Sequence, residues 1–395
     1  MEIYRKILII TFLLLTSSFK LEAAHVVERT VVTDTFSVNS PKGGIKVKVS
    51  YPAAGIKVKD KIVLWSSHPT DNTFIDETLD GDVNISVVLR KALLDSGYVN
   101  IEYLGRNDSV IYSGHKFCST SIKTRADDFR YVIDAMRKRK ELKSKHFILA
   151  GCSFGAMVNG MTYLKCPKSI YALLQVSPGA TSPKEHWETQ KVKNYFAYDQ
   201  QAAWDIFAFH CSQAYLDSTI NKLSSLDSHY ILDVNGSGYF KYMKEHFDTL
   251  YSFIGKYKNM DSIYKHLESY IRNNWQKEDF ATKELYKNKY DAYYKVQAHC
   301  MTPEQIISNL LNPDDIYPKI KCPVLGVFGT RDIYIDYAKE DSAMQSLLKK
   351  GGNNQYTSLV FEGYDHQISK QVKHKDNHFV EDSVIEKIMK WIASI

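Results

Sequence analysis

The sequence predicts an α/β fold, a mostly parallel sheet flanked by helices, with a large helical segment inserted late in the chain. Three observations predict it. Strand-like and helix-like runs alternate from residue 60 to 178, the pattern of a sheet covered on both faces. That pattern stops over residues 181–312 and resumes at "CPVLGVFGTRD". The apolar run "HFILAG" leads straight into "GCSFGA", a G-x-S-x-G match centred on Ser153, and a helix-like run follows.

Composition bounds the function classes. The chain has 395 residues, ample for a buried core, with 44% hydrophobic and 24% charged residues, ordinary values for a soluble globular protein. Its net charge of +6 comes from lysines interleaved with acids, which argues for a solvated surface and against a nucleic-acid partner. The start, "MEIYRK" then "ILIITFLLLT", reads as an export signal over residues 1–23, with cleavage near Ala23 or Ala24. A retained N-terminal anchor is the alternative, and no later run is long and apolar enough to span a membrane. The expected location is therefore the periplasm or the extracellular space.

Taken in order, "TVVTDTFSV" and "GIKVKVSYP" alternate apolar and polar residues, as paired half-buried strands do. "KIVLWSS" is a compact strand ending in the loop "HPTDN", and "VVLRKALLDSG" reads as a helix closed by Gly97. "YVNIEYL" is the next strand. In "TRADDFRYVIDAMRKR", Phe129, Val132, Ile133 and Met136 form one apolar helical stripe. "HFILAG", the helix "AMVNGMTYL" and the strand "SIYALLQVSP" complete the first part, residues 24–180. Residues 181–312 are tyrosine- and lysine-rich with helical spacing, notably "YFKYMKEHFDTLYSFIGKY" and "SIYKHLESYIRNNW", and predict a helical cap over the sheet. The sheet resumes in residues 313–395. "PVLGVFG" leads to Asp332, "YTSLVFEG" leads to His366, and Val384, Ile385, Ile388 and Ile392 line one side of a terminal helix.

Six cysteines in an exported chain of this length do not make a disulfide scaffold. Cys152 and Cys322 sit in apolar, strand-like runs that predict buried thiols, and Cys211 with Cys300 is the pair to test for a bridge. His210 and His299 precede those two cysteines, but no metal-ligand spacing accompanies them, so no metal is expected.

The elbow "GCSFGA", the segment "VFGTRD" and the segment "FEGYDHQ" together resemble the three catalytic motifs of the α/β-hydrolase superfamily, in its chain order of Ser, Asp, His. The resemblance covers the chain from residue 30 onward, the cap excepted, and is greatest to the serine aminopeptidase-like and acylglycerol-lipase-like branch. It implies Ser153 as nucleophile, His366 as the base and Asp332 as the residue that orients it. Gly151 and Gly155 would let neighbouring backbone crowd the nucleophile turn. The oxyanion hole would use the Phe154 N–H and a second donor from the "HPTD" loop. There Pro69 has no N–H, which leaves Thr70. Asp336 and Asp365 are alternatives for the acid. His374 and His378 lie in a polar stretch, and Cys152 precedes the apex of the turn.

The resemblance implies an exported serine hydrolase cleaving an ester or related acyl bond, with no cofactor, on a small-molecule or short peptide or acyl substrate. Three alternatives stay open: a serine exopeptidase on short peptides, acyl transfer to an acceptor other than water, and a non-catalytic binding protein on a hydrolase scaffold. Only the Pro69 departure favours the last.

Overall fold

The computed structural model describes residues 31–66, 85–105, 109–112, 115–118, 121–143, 145–182, 260–277, 312–332, 334–371 and 378–395, with a few single positions between 185 and 283. The export signal, the loop with Thr70, His374, and Cys211 with Cys300 lie outside them.

Two strands, β1 (Val32–Ser40) and β2 (Gly43–Tyr51), form an antiparallel hairpin in which Ser40 pairs with Gly43. The Ser40 hydroxyl closes the turn by donating to the Gly43 carbonyl at 2.7 Å. Strand β3 (Lys61–Trp65) is followed by helix α1 (Ile85–Asp95) and β4 (Val99–Leu104). Gly97, at φ 92°, makes the turn between α1 and β4. A small antiparallel hairpin, β5 (Ser109–Tyr112) and β6 (His115–Cys118), lies outside the main sheet; nothing in the sequence pattern announced it.

Helix α2 (Ile122–Lys138) starts where the Ser121 side chain accepts the Thr124 N–H, and it buries the predicted stripe of Phe129, Val132, Ile133 and Met136. Strand β7 (His146–Cys152), helix α3 (Phe154–Lys165) and strand β8 (Ile170–Val176) follow. Helix α4 (Met260–Lys277) falls within the predicted cap and buries Ile263, Leu267 and Ile271 on one face. Strand β9 (Val324–Gly329), helix α5 (Tyr337–Lys350), strand β10 (Tyr356–Phe361) and helix α6 (Asp382–Ser394) close the chain.

The main sheet has eight strands in the order β1-β2-β4-β3-β7-β8-β9-β10. From β4 through β10 every neighbouring pair is parallel, and only the β1–β2–β4 end is antiparallel. Alternate faces carry two cores. On one, α2, α3 and α5 cover Ile62, Leu64, Phe147, Leu149 and Leu173. On the other, α1 and α6 cover Val63, Trp65, Ile148, Leu174 and Val327. Strand β7 lies in mid-sheet and is buried from Phe147 to Gly151, so its C-terminal end is fixed from both faces. Among the described residues no helix is long and apolar enough to cross a membrane.

Leu149 is fully buried in this strand. Leu149→Ala is expected to destabilise the protein by about 2–5 kcal/mol, read as a lower urea midpoint with unchanged slope.

Candidate active site

The site is built from the C-terminal ends of β7, β8, β9 and β10. In a parallel sheet these ends all face one way, so loops from distant parts of the chain meet there. Ser153 stands between the last residue of β7 and the first of α3, with φ 52° and ψ −115°. Its N–H still donates to Val176 of β8 at 2.8 Å, while its carbonyl already accepts the Ala156 N–H at 3.0 Å. One residue thus belongs to both sheet and helix, and the backbone turns sharply there at a cost of roughly 1–3 kcal/mol.

The two elbow glycines are required by close approach. A Cβ on Gly151 would stand 2.2 Å from Ser66 Oγ and 2.6 Å from the carbonyl carbon of Gly155. One on Gly155 would stand 2.7 Å from Ser66 Oγ and 3.1 Å from the Ser66 carbonyl oxygen. Ser66, just past β3, is the residue that fills this space. Its hydroxyl bonds the Gly155 carbonyl at 2.8 Å, and its N–H donates to Ala150 at 2.9 Å. Ser66 was not singled out from sequence, since a serine after a strand carries no signature.

Asp332 and His366 are brought together. His366 Nδ1 lies 2.7 Å from Asp332 Oδ2, and the Asp332 side chain is fully buried. The other oxygen, Oδ1, accepts the N–H groups of Tyr334 at 2.8 Å and Ile335 at 3.1 Å. With carboxylate as acceptor, Nδ1 carries the proton and Nε2 is left for proton exchange. The Tyr334 ring packs on the imidazole at 4.8 Å between centroids. Burial works to lower the pKa of His366, but the charge of Asp332 and its hydrogen bond, helped by Asp365, outweigh it and raise the value above the ordinary 6.5.

The loops that carry Asp332 and His366 are also tied together by backbone donors. Thr330 donates to Phe361 at 3.0 Å, Arg331 to Tyr364 at 2.8 Å, and Gly363 to the Thr330 hydroxyl at 2.9 Å. Gly329 permits this approach, because a Cβ there would lie 2.3 Å from the Tyr364 carbonyl oxygen. The alternative acids serve other ends. Asp365 accepts the N–H groups of Gln367 and Ser369, both at 2.9 Å, and the Ser369 hydroxyl at 2.7 Å, which folds the base loop on itself. Asp336 caps α5 by accepting the Lys339 N–H.

Phe154 opens α3, so its amide belongs to the first turn of a helix whose positive dipole end faces the serine. Cys152 is half-buried rather than buried as its apolar run predicts, because it sits at the strand's open end with its thiol 3.8 Å from the His366 carbonyl. Cys322 is buried, as expected, and burial pushes its thiol up to about 12. Cys166 and Cys322 are free thiols. Among the described residues, no cluster of three or more His, Cys, Asp or Glu is placed to hold a metal.

The strand order and the strand–serine–helix elbow define an α/β-hydrolase fold. The structure is similar to the esterase Pf2001 of Pyrococcus furiosus, at 12% identity over 95% of each chain, with a TM-score of 0.49. It is also similar to a thermophilic esterase from Thermogutta terrifontis, at 12% identity, covering 92% of this chain and 98% of that one with a TM-score of 0.42. A third similar structure is an α/β serine hydrolase without lid from Xanthomonas campestris, at 13% identity, 85% and 86% coverage and a TM-score of 0.39. No protein-family model matches the chain, and no curated protein matches it in sequence.

The glycine contacts differ in how closely they meet backbone, which gives a test. Gly155→Ala is expected to lose most site function and to be partly rescued by Ser66→Ala. Gly151→Ala is expected to resist rescue, because its Cβ would also stand 2.6 Å from the Gly155 backbone, whereas the Gly155 Cβ clears backbone by 3.1 Å. Rescue of both, read by fluorophosphonate labelling, would contradict this packing.

Proposed function

We propose that this chain is an exported serine hydrolase that cleaves an ester or related acyl bond through an acyl-enzyme on Ser153, His366 and Asp332. The observation that carries the reading is the 2.7 Å Asp332–His366 contact at the same sheet edge as a serine held at positive φ. Neither feature has a structural need for the other. Export is read from residues 1–23.

A serine hydroxyl is a poor nucleophile at neutral pH. In the proposed cycle, Ser153 Oγ attacks the acyl carbonyl carbon while its proton passes to His366 Nε2. Asp332 stays ionised and stabilises the imidazolium. The oxygen of the tetrahedral intermediate gathers negative charge and is held by the Phe154 N–H at the α3 terminus, with Thr70 as the proposed second donor. Collapse expels the leaving group, which takes the proton from Nε2 and leaves the acyl group on Ser153. Water then attacks that ester, gives its proton to Nε2, and the acid departs as Oγ is reprotonated. No cofactor takes part. The substrate would be a small acyl compound or short peptide, with its choice set by residues 181–312.

The decisive experiment is labelling with a fluorophosphonate, wild type against Ser153→Ala, beside a panel of p-nitrophenyl esters and aminoacyl anilides. Labelling lost in the variant is expected, with esters turned over faster than anilides. A well-folded wild type that takes no label would sink the proposal in favour of a binding protein, and faster anilide turnover would make it an exopeptidase.

The base works only when neutral, so kcat/KM is expected to rise with pH through a midpoint above the ordinary histidine value. Asp332→Asn removes the raising charge. It should move that midpoint down and lower kcat by about 10⁴-fold. A midpoint that does not move would show that Asp332 does not set the base.

A further inference from the structure

We propose that Ser177, assisted by Cys152, is a positioning residue that grips the His366 carbonyl and so fixes where the imidazole stands relative to Ser153; this rests on the serine-hydrolase reading above. Ser177 directly follows β8. Its N–H extends the ladder to β9 by donating to Val327 at 2.8 Å, and its backbone then turns to φ 44°. The turn swings its hydroxyl across the sheet edge, where it donates to the His366 carbonyl oxygen at 2.7 Å, the preferred distance for such a bond. The Cys152 thiol, a weaker donor, approaches the same oxygen at 3.8 Å.

The backbone conformation is the informative part. Glycine takes a positive φ without penalty and asparagine takes it readily, while a serine pays the Cβ clash. A serine kept there in a buried position needs a reason, and the bond to His366 supplies one. The geometry also places the grip well. Cys152 immediately precedes the nucleophile, and Ser177 follows Val176, whose carbonyl holds the Ser153 N–H. Both donors therefore sit on the strand ends that fix Ser153, and both seize the backbone of the base. Asp332 sets the ring from its side, Asp365 is another charged group acting on it, and the Tyr334 ring lies tilted against it.

The test compares Ser177→Ala, which keeps the Cβ and loses the hydroxyl, with Ser177→Gly, which loses the hydroxyl and relaxes the turn. Two readouts are taken: steady-state kinetics on the best ester of the panel, and the far-downfield proton resonance of His366 Nδ1–H in substrate-free protein. Both variants are expected to lower kcat about tenfold with KM changed less than about twofold, since a misplaced base costs the chemical step rather than binding. The resonance should broaden or move upfield in both. A glycine variant with wild-type kcat and an unchanged resonance would overturn the proposal, because Ser177 would then matter only for its backbone. If alanine prevents folding, the glycine variant alone decides. The resonance needs no turnover, so a wild type that hydrolyses nothing would defeat the hydrolase reading and still let the grip be judged.

Discussion

The strained turn at Ser153 is the constraint on which the rest of the site depends. Among the described residues, only Ser153, Ser177 and Ile368 are non-glycine residues at positive φ: Ser177 bonds the His366 carbonyl, Ile368 lies two residues beyond His366, and Ser153 follows Cys152, whose thiol approaches the same carbonyl. Each conformation costs roughly 1–3 kcal/mol and persists only where packing overdetermines it. At Ser153 the overdetermination is visible: the N–H is fixed by β8, the carbonyl by the first turn of α3, and the flanking glycines are pressed on Ser66. At Ile368 it comes from burial, since the side chain is wholly inside the core beneath α6 and its N–H donates to the Asp365 carbonyl. A β-branched residue in that conformation is unusual, and the apolar surface it buries opposes the strain.

The sheet converts those local turns into one geometry. Because β7, β8, β9 and β10 are parallel, their C-terminal ends form a row, and each supplies one part of the site. The Ser153 turn leaves β7, Ser177 leaves β8, the Asp332 loop leaves β9 and the His366 loop leaves β10. Backbone bonds tie the last two loops before any side chain is considered. The Asp332–His366 contact therefore does not have to hold the loops together. It is spared for orienting the ring, with Oδ1 anchored on two backbone N–H groups.

Much of this was legible in the sequence, and the reason is periodicity. Alternating runs gave the strands, the Phe129 stripe gave α2, and serine, aspartate and histidine at three strand ends marked where loops converge. Ser66, Ser177, Gly329 and Ser369 were not legible. They are common residues whose roles arise from partners far along the chain, such as Gly155 for Ser66 and His366 for Ser177. Nor does a positive φ at isoleucine or serine leave a trace, because the residue type argues against it. The β5–β6 hairpin is too short to show a period, and Asp336, one of the alternative acids, is the N-cap of α5.

The same edge also shows how the chain is anchored where it leaves the sheet. Just beyond Ser177 the chain leaves the sheet, and it is clamped at once. Tyr317 donates its hydroxyl to the Gly179 carbonyl at 2.9 Å, and buried Glu340 of α5 accepts the N–H groups of Ala180 and Thr181. A buried carboxylate with three such donors, the Thr181 hydroxyl included, is well compensated and holds that stretch firmly. The inserted segment thus starts from a root fixed to the core and returns to it at Tyr317, beside the same clamp. Both anchor points are separate from the turns that position Ser153, His366 and Asp332. That separation explains why the Ser153–His366–Asp332 geometry rests on a few residues of the core.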